Sequence, residues 1–232
     1  MAVLLTVATF GWSLVANLVL GDRGYVLRNL AATALLLWFA SLASLSPADL
    51  GLAQEALSDG WRWGRLLVLA AAVAVALAAG FADRLRPVAA LLADRRAALP
   101  FRALVTTVMV RIPLGTALFE EVLFRGVLLG ALLHVGSVSF AVGWSSVAFG
   151  LWHVAPTIVA LRENDVAPRS RAGQRAVLGA VLVTTLAGVG LAAVTIASGS
   201  LLPSYLAHWS VNAFGLLAAA TSQASPTSEV GR

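Results

Sequence analysis

Three apolar stretches carry side chains that do chemistry, in pairs one helical turn apart. "LGTALFEEVLFRGVLLGALL" holds Glu120, Glu121 and Arg125, "SSVAFGLWHVAP" holds Phe149 and His153, and "SLLPSYLAHWSVNAFG" holds His208 and Asn212. A charge at the centre of a bilayer costs about 2.5–3.5 kcal/mol on insertion scales, so charges kept there need a reason. Residues four apart share a helix face, which lets Glu121 pair with Arg125. Glu120 is rotated about 100° from Glu121 and is left for another partner. A carboxylate beside an imidazole can hold and deprotonate a water, or take part in a metal site. His153, on the next apolar span, is the expected imidazole. His208 and Asn212 present two donors toward one point, which suits stabilisation of an oxyanion. The bland reading is a buried ion pair and hydrogen-bonded histidines that only fix helix packing. It accounts for Glu121 and Arg125 but leaves Glu120 over.

The elements that hold these pairs are membrane helices. The 232 residues are 59% hydrophobic and 12% charged, with mean hydropathy +0.88, whereas a soluble domain carries about 25% charged residues. The expected fold class is all-α, a polytopic integral membrane protein. Seven spans are expected near 1–20, 29–47, 66–82, 103–134, 137–160, 176–198 and 200–220, against the roughly 20 apolar residues a crossing needs; the fourth is longer than a simple span, which allows a tilt, a kink near Pro113 or entry from an interfacial turn. The last four supply the candidate site. The expected organisation is N-terminal helices and a loop over 1–102, a core over 103–220 and a disordered tail over 221–232. The first span lacks the basic lead and cleavage site of a signal peptide and reads as a retained helix.

All sixteen basic residues are Arg. Loops 1–2, 3–4 and 5–6 hold Arg23, Arg28, Arg84, Arg86, Arg95, Arg96, Arg102, Arg162, Arg169, Arg171 and Arg175, against Arg62 and Arg65 on the other side. The positive-inside rule then predicts a cell-membrane protein with its N-terminus outside and C-terminus cytoplasmic. The net charge of +5 is explained by that topology, and no nucleic-acid partner is expected. The segment "FADRLRPVAALLADRRAALPFRAL" suits an amphipathic helix on the cytoplasmic surface. There are no cysteines, which excludes disulfides and thiolate metal sites.

Together the motifs resemble the CPBP family of intramembrane proteases, which includes the CAAX prenyl endopeptidases and bacteriocin-processing enzymes. The family pattern E-E-x-x-x-R, F-x-x-x-H and H-x-x-x-N/D stands here as Glu120-Glu121-x-x-x-Arg125, Phe149-x-x-x-His153 and His208-x-x-x-Asn212. Three motifs in order, each in an apolar span, are specific, and the likeness covers about 105–220. By resemblance, Glu120 and His153 activate the attacking water, and His208 and Asn212 stabilise the oxyanion. Glu121 and Arg125 form a supporting pair, and Phe149 packs beside the site. The implied activity is endopeptidase cleavage of a peptide or membrane-protein substrate from within the lipid bilayer. The pattern is compatible with a glutamate-activated water or with a bound Zn²⁺, for which Glu120, His153 and His208 are the candidate ligands. H-E-x-x-H is absent.

Three other readings compete. A rhomboid-like serine enzyme would use Ser145 of Gly143-x-Ser145, leaving Glu120 unexplained. A proton-coupled transporter would use the buried carboxylates and histidines, but no repeated half is visible. A catalytically silent family member would act as a scaffold or immunity factor. Trp152 and Trp209 adjoin the histidines and read as packing ahead of a substrate channel. His134, alone at a span end, reads as solvated or capping.

Overall fold

A computed structural model describes residues 2–224. Among them there is no strand, and helices account for nearly all of the chain. We number the helices α1 (2–20), α2 (Tyr25–Leu42), α3 (Leu57–Gly80), α4 (Arg86–Leu92), α5 (101–133), α6 (Val138–Glu163), α7 (Arg171–Ser198) and α8 (Leu202–Ala224). By length and apolar composition, α2, α3 with its leading turn, α6 and α7 can each cross a membrane. Of the three helices that carry the pairs, α6 belongs to that group, whereas α5 and α8 fall outside it.

Several expected boundaries move. The second span ends at Leu42 rather than 47, because Ser44 takes a left-handed turn at φ 61° and Pro47 disfavours helix before it. The third begins at Leu57 rather than 66 and takes in Trp61, Arg62, Trp63 and Arg65, with Arg62 bonded to Asp59 one turn back at 3.3 Å. The last helix runs to Ala224, so residues 221–224 are helical and not tail. The rest of the expected tail, 225–232, lies outside the described residues. Within the expected amphipathic segment, α4 is a seven-residue helix flanked by single tight turns.

Lipid tails are as apolar as leucine, so membrane helices associate through close packing of small residues. Gly60 and Gly64 of α3 do this against α8. A Cβ at Gly64 would lie 2.6 Å from Leu206 Cδ1, and one at Gly60 would lie 2.6 Å from Ser200 Oγ. Gly150 of α6 and Gly188 of α7 do the same for each other's helices. A Cβ on Gly150 would run into Thr185, and one on Gly188 would meet Ser146 Cα at 3.0 Å. α5 is the buried centre, with Phe119, Leu123, Phe124, Leu128, Leu129 and Leu132 packed against Phe149 and Trp152 of α6. Leu69, Leu77, Val183 and Leu186 stay exposed on the outer faces, as a hydrocarbon solvent favours.

A polar clamp ties the loop after α4 to the ends of α6 and α8. Arg96 pairs with Asp94 at 2.6 Å, Asn164 donates to Asp94 at 2.9 Å, and Arg95 pairs with Asp165. Gln223 donates to the Asp94 carbonyl at 2.7 Å. Partial burial alone would raise the Asp94 carboxyl, but the donors Arg96 and Asn164 outweigh it and hold the group below its ordinary value.

Candidate active site

The site is built where two helices depart from regular α geometry. In α5 the stretches Thr107–Ala117 and Val122–Leu128 are wound wide, with i→i+5 bonding, and only Leu118–Glu121 between them is α. Such wide turns recur at functional sites. Pro113 has no N–H to give to Val108 O, its acceptor in this winding. Trp209 of α8 donates its indole N–H to that carbonyl at 2.8 Å. To the expected packing role of Trp209 the structure adds a specific bond: it satisfies a carbonyl that a proline releases. Near the return to α winding, Gly115 O accepts from the buried Asn29 Nδ2 of α2 at 2.6 Å. Gly115 admits that approach, since a Cβ there would lie 2.8 Å from the Tyr25 ring.

In α6 the helix breaks at His153 and resumes at Val154. Pro156 withholds the N–H that Trp152 O would accept in an α-helix. The buried Ser13 hydroxyl of α1 donates to Trp152 O instead, at 2.9 Å. His153 therefore sits at a fixed break rather than on a continuous helix.

These elements bring the predicted side chains together. Glu121 and Arg125 pair at 3.1 Å, both essentially without solvent contact. Glu121 Oε1 also accepts from His208 Nδ1 at 2.7 Å, a contact across 87 residues that spacing alone does not reveal. Glu120 points to the other side. Its Oε2 lies 3.9 Å from His153 Nε2 and 3.8 Å from His208 Nε2, too far for direct hydrogen bonds. His153 Nδ1 lies 2.8 Å from Phe149 O. A carbonyl only accepts, so Nδ1 carries the proton, and Nε2 of the neutral ring presents its lone pair toward Glu120. Phe149 stacks under the Arg125 guanidinium at 3.9 Å and meets the His153 and His208 rings edge-on at 4.6 and 5.8 Å. Asn212, half-buried one turn beyond His208, makes no hydrogen bond with another described residue.

Glu120 Oε2, Glu121 Oε2 and Arg125 Nη2 are buried without a hydrogen-bond partner among the described residues, as are Trp12 Nε1, Arg28 Nε, Ser146 Oγ and Trp152 Nε1. Buried polar atoms are nearly always satisfied, so three exceptions in one cluster mark it as a place built to receive other groups. Among the described residues, no three His, Asp or Glu side chains stand in a metal-holding arrangement. Glu120, His153 and His208 converge without closing one, and Glu121 is already shared by Arg125 and His208.

Other predicted residues lie elsewhere. Ser145 donates to Val142 O of its own helix at 3.3 Å, not to a histidine. His134 is not solitary: it pairs with Asp49 of the loop after α2 at 2.9 Å. The residues that sequence reasoning missed are Ser13 and Asn29, and for Trp209 it missed the hydrogen bond. The signal for two of these bonds was the prolines, Pro113 and Pro156, which announce unclaimed carbonyls inside apolar spans.

Residues 101–214 match the family model of the Rce1-like type II CAAX prenyl endopeptidases. No curated protein and no solved structure matches the chain.

Proposed function

From a chain that belongs, through residues 101–214, to the Rce1-like type II CAAX prenyl endopeptidases, we propose an intramembrane endopeptidase whose water is activated by Glu120 and His153. Residues 103–220 form its catalytic core. The observation that carries the reading is Glu120 Oε2, unpartnered and facing Nε2 of both histidines at 3.8–3.9 Å. A water held between Glu120 Oε2 and His153 Nε2 gives a proton to Glu120 Oε2 as its oxygen attacks the scissile carbonyl carbon. The tetrahedral oxyanion faces His208 and Asn212. Collapse breaks the C–N bond, and the proton passes to the departing amine. His208 donates its Nδ1–H in a hydrogen bond to Glu121, so its Nε2 donates only when the ring carries a second proton. The oxyanion role therefore belongs to the imidazolium. Asn212, uncommitted in the free protein, supplies the second donor.

Glu120→Gln keeps the shape and removes the base. It is expected to abolish cleavage while leaving expression and thermal unfolding in detergent as in the unaltered chain, and His153→Ala the same. A well-folded, fully active Glu120→Gln protein overturns the assignment. A catalytically silent scaffold would show no Glu120-dependent cleavage in any membrane proteome compared with and without the protein. For the water reading, a chelator that reaches the site leaves cleavage intact; inactivation restored by Zn²⁺ would replace it with a metal site on Glu120, His153 and His208. The substrate is a peptide or a membrane protein presented at the bilayer. Arginine asymmetry supports an external N-terminus and a cytoplasmic C-terminus. Reporters fused near 90 and 168 are expected in the cytoplasm and one near 135 outside; a cytoplasmic signal at 135 reverses the orientation.

A further inference from the structure

Asn29 and Ser13 lie outside the matched residues 101–214, on helices that carry none of the site's motifs. Yet both are buried polar side chains in the apolar bundle, and each spends its donor on a backbone carbonyl beside the site. Asn29 Nδ2 reaches Gly115 O at 2.6 Å, five residues before Glu120. Ser13 Oγ reaches the carbonyl of Trp152, the residue before His153, at 2.9 Å. Thr33 donates to Asn29 O at 2.8 Å, and Tyr25 OH lies 3.0 Å from Thr116 Oγ1, which stands one turn before Glu120 on its face. Four side chains of α1 and α2 are thus devoted to the ends of the two segments that bear the proposed base and its imidazole, or to holding the residue that does so.

The register at stake is unusually sharp. A one-residue change in winding rotates everything after it by about 100°, the angle that separates Glu120 from Glu121. Thr107–Ala117, wound wide and interrupted by Pro113, is the segment of α5 whose winding is easiest to change. If its winding changed by one residue, Glu120 would turn away from the histidines and a neighbouring position would take its place, the Glu121–Arg125 pair rotating with it as a unit. Arg125 claims Glu121 within the helix, but which direction Glu120 then faces depends on the register of the whole segment.

We propose that α1 and α2 are a positioning frame for the site: Asn29 fixes the register that turns Glu120, rather than Glu121, toward His153, and Ser13 fixes the helix break that presents His153. The roles of Glu120 and His153 rest on the reading above; the register itself does not.

The chain has no cysteines, so introduced pairs report alone. Full-length protein carrying Glu120→Cys with His153→Cys is compared with Glu121→Cys with His153→Cys, each treated in lipid with a short thiol-bridging reagent. In the otherwise unaltered chain the 120–153 product dominates. Adding Asn29→Leu, which keeps the volume and removes the donor, lowers the ratio of 120–153 to 121–153 product several-fold. Ser13→Ala lowers both products together, because it loosens His153 rather than the register. A ratio unchanged by Asn29→Leu, with a normally folded protein, overturns the frame. Where leucine impairs folding, Asn29→Ala gives the same reading. In the cysteine-free enzyme, Asn29→Leu lowers kcat more than it raises KM, whereas Asn29→Gln, which retains the amide donor, recovers part of kcat. Activity retained by Glu120→Gln refutes the catalytic reading and leaves the cross-linking result standing; an unmoved cross-linking ratio refutes the frame and leaves the catalytic reading standing.

Discussion

Two regions of this protein use the same chemical vocabulary to opposite ends. The clamp of Asp94, Arg96, Asn164, Arg95 and Asp165 joins carboxylates to guanidiniums in partly exposed positions, where Asp94 is met by several donors. The cluster of Glu120, Glu121, Arg125, His153 and His208 joins them in a bundle core, with three polar atoms left unpartnered. In water an ion pair contributes little, because the separated charges are well solvated. In the core, separation is what costs, so the same pair holds its helix tightly. The difference teaches where to look for function: in the region whose polar valences are incompletely filled despite burial, not in the one whose carboxylates are met by donors near the surface.

The largest effect expected is at Arg125. Arg125→Ala leaves the fully buried Glu121 without its cation, and breaking a buried pair costs about 3–5 kcal/mol. Folded yield in detergent and the unfolding temperature are expected to fall together with activity. A variant that folds and cleaves normally would place Arg125 with the clamp arginines in energetic terms. Next comes Asn212→Ala, which removes an uncommitted donor. Turnover is expected to drop by about 10²–10³, with thermal unfolding unchanged because no side-chain hydrogen bond to another described residue is lost. A stability loss without a turnover loss would make Asn212 structural. The smallest effect is in the clamp. Arg96→Ala is expected to cost at most about 1 kcal/mol, read as a small shift in thermal unfolding. The Asp94 carboxyl lies below its ordinary value of 3.8. The stability it contributes is therefore present above that pH and is lost as pH falls further through the folded-state value. A clamp that opened between pH 5 and 7 would contradict the Asp94 assignment.

What the sequence made legible was local. Glu121 with Arg125, and the offset of Glu120 from that face, follow from helical spacing alone, since the α turn Leu118–Glu121 carries both glutamates. Apolar runs located the long helices, and errors arose where hydropathy outlasted helical geometry, as at Ala43–Pro47, or where charged residues at a helix end were read as loop, as at Arg62 and Arg65. The bond from His208 to Glu121 was out of reach, because it depends on how α8 docks against α5. Asn29 and Ser13 were out of reach for a related reason. Their acceptors are carbonyls, which every residue has, and only the prolines and the wide winding reveal which ones are free.

The close contact of α6 with α7 has a mechanical consequence. Gly150 and Gly188 bring the two backbones so near that even a methyl group would collide, and Ser146, Thr185 and Val181 fill the seam. A joint this tight resists sliding and behaves as one stiff plate. Along its wide-wound stretch α5 has one such close contact, Gly115 against the Tyr25 ring of α2, rather than glycines facing a helix from both sides, and its length can be taken up by small changes of pitch. The histidine on the plate and the glutamate on the spring-like helix thus meet as a fixed jaw and a compliant one. When a peptide enters, the strain should be absorbed on the glutamate's side.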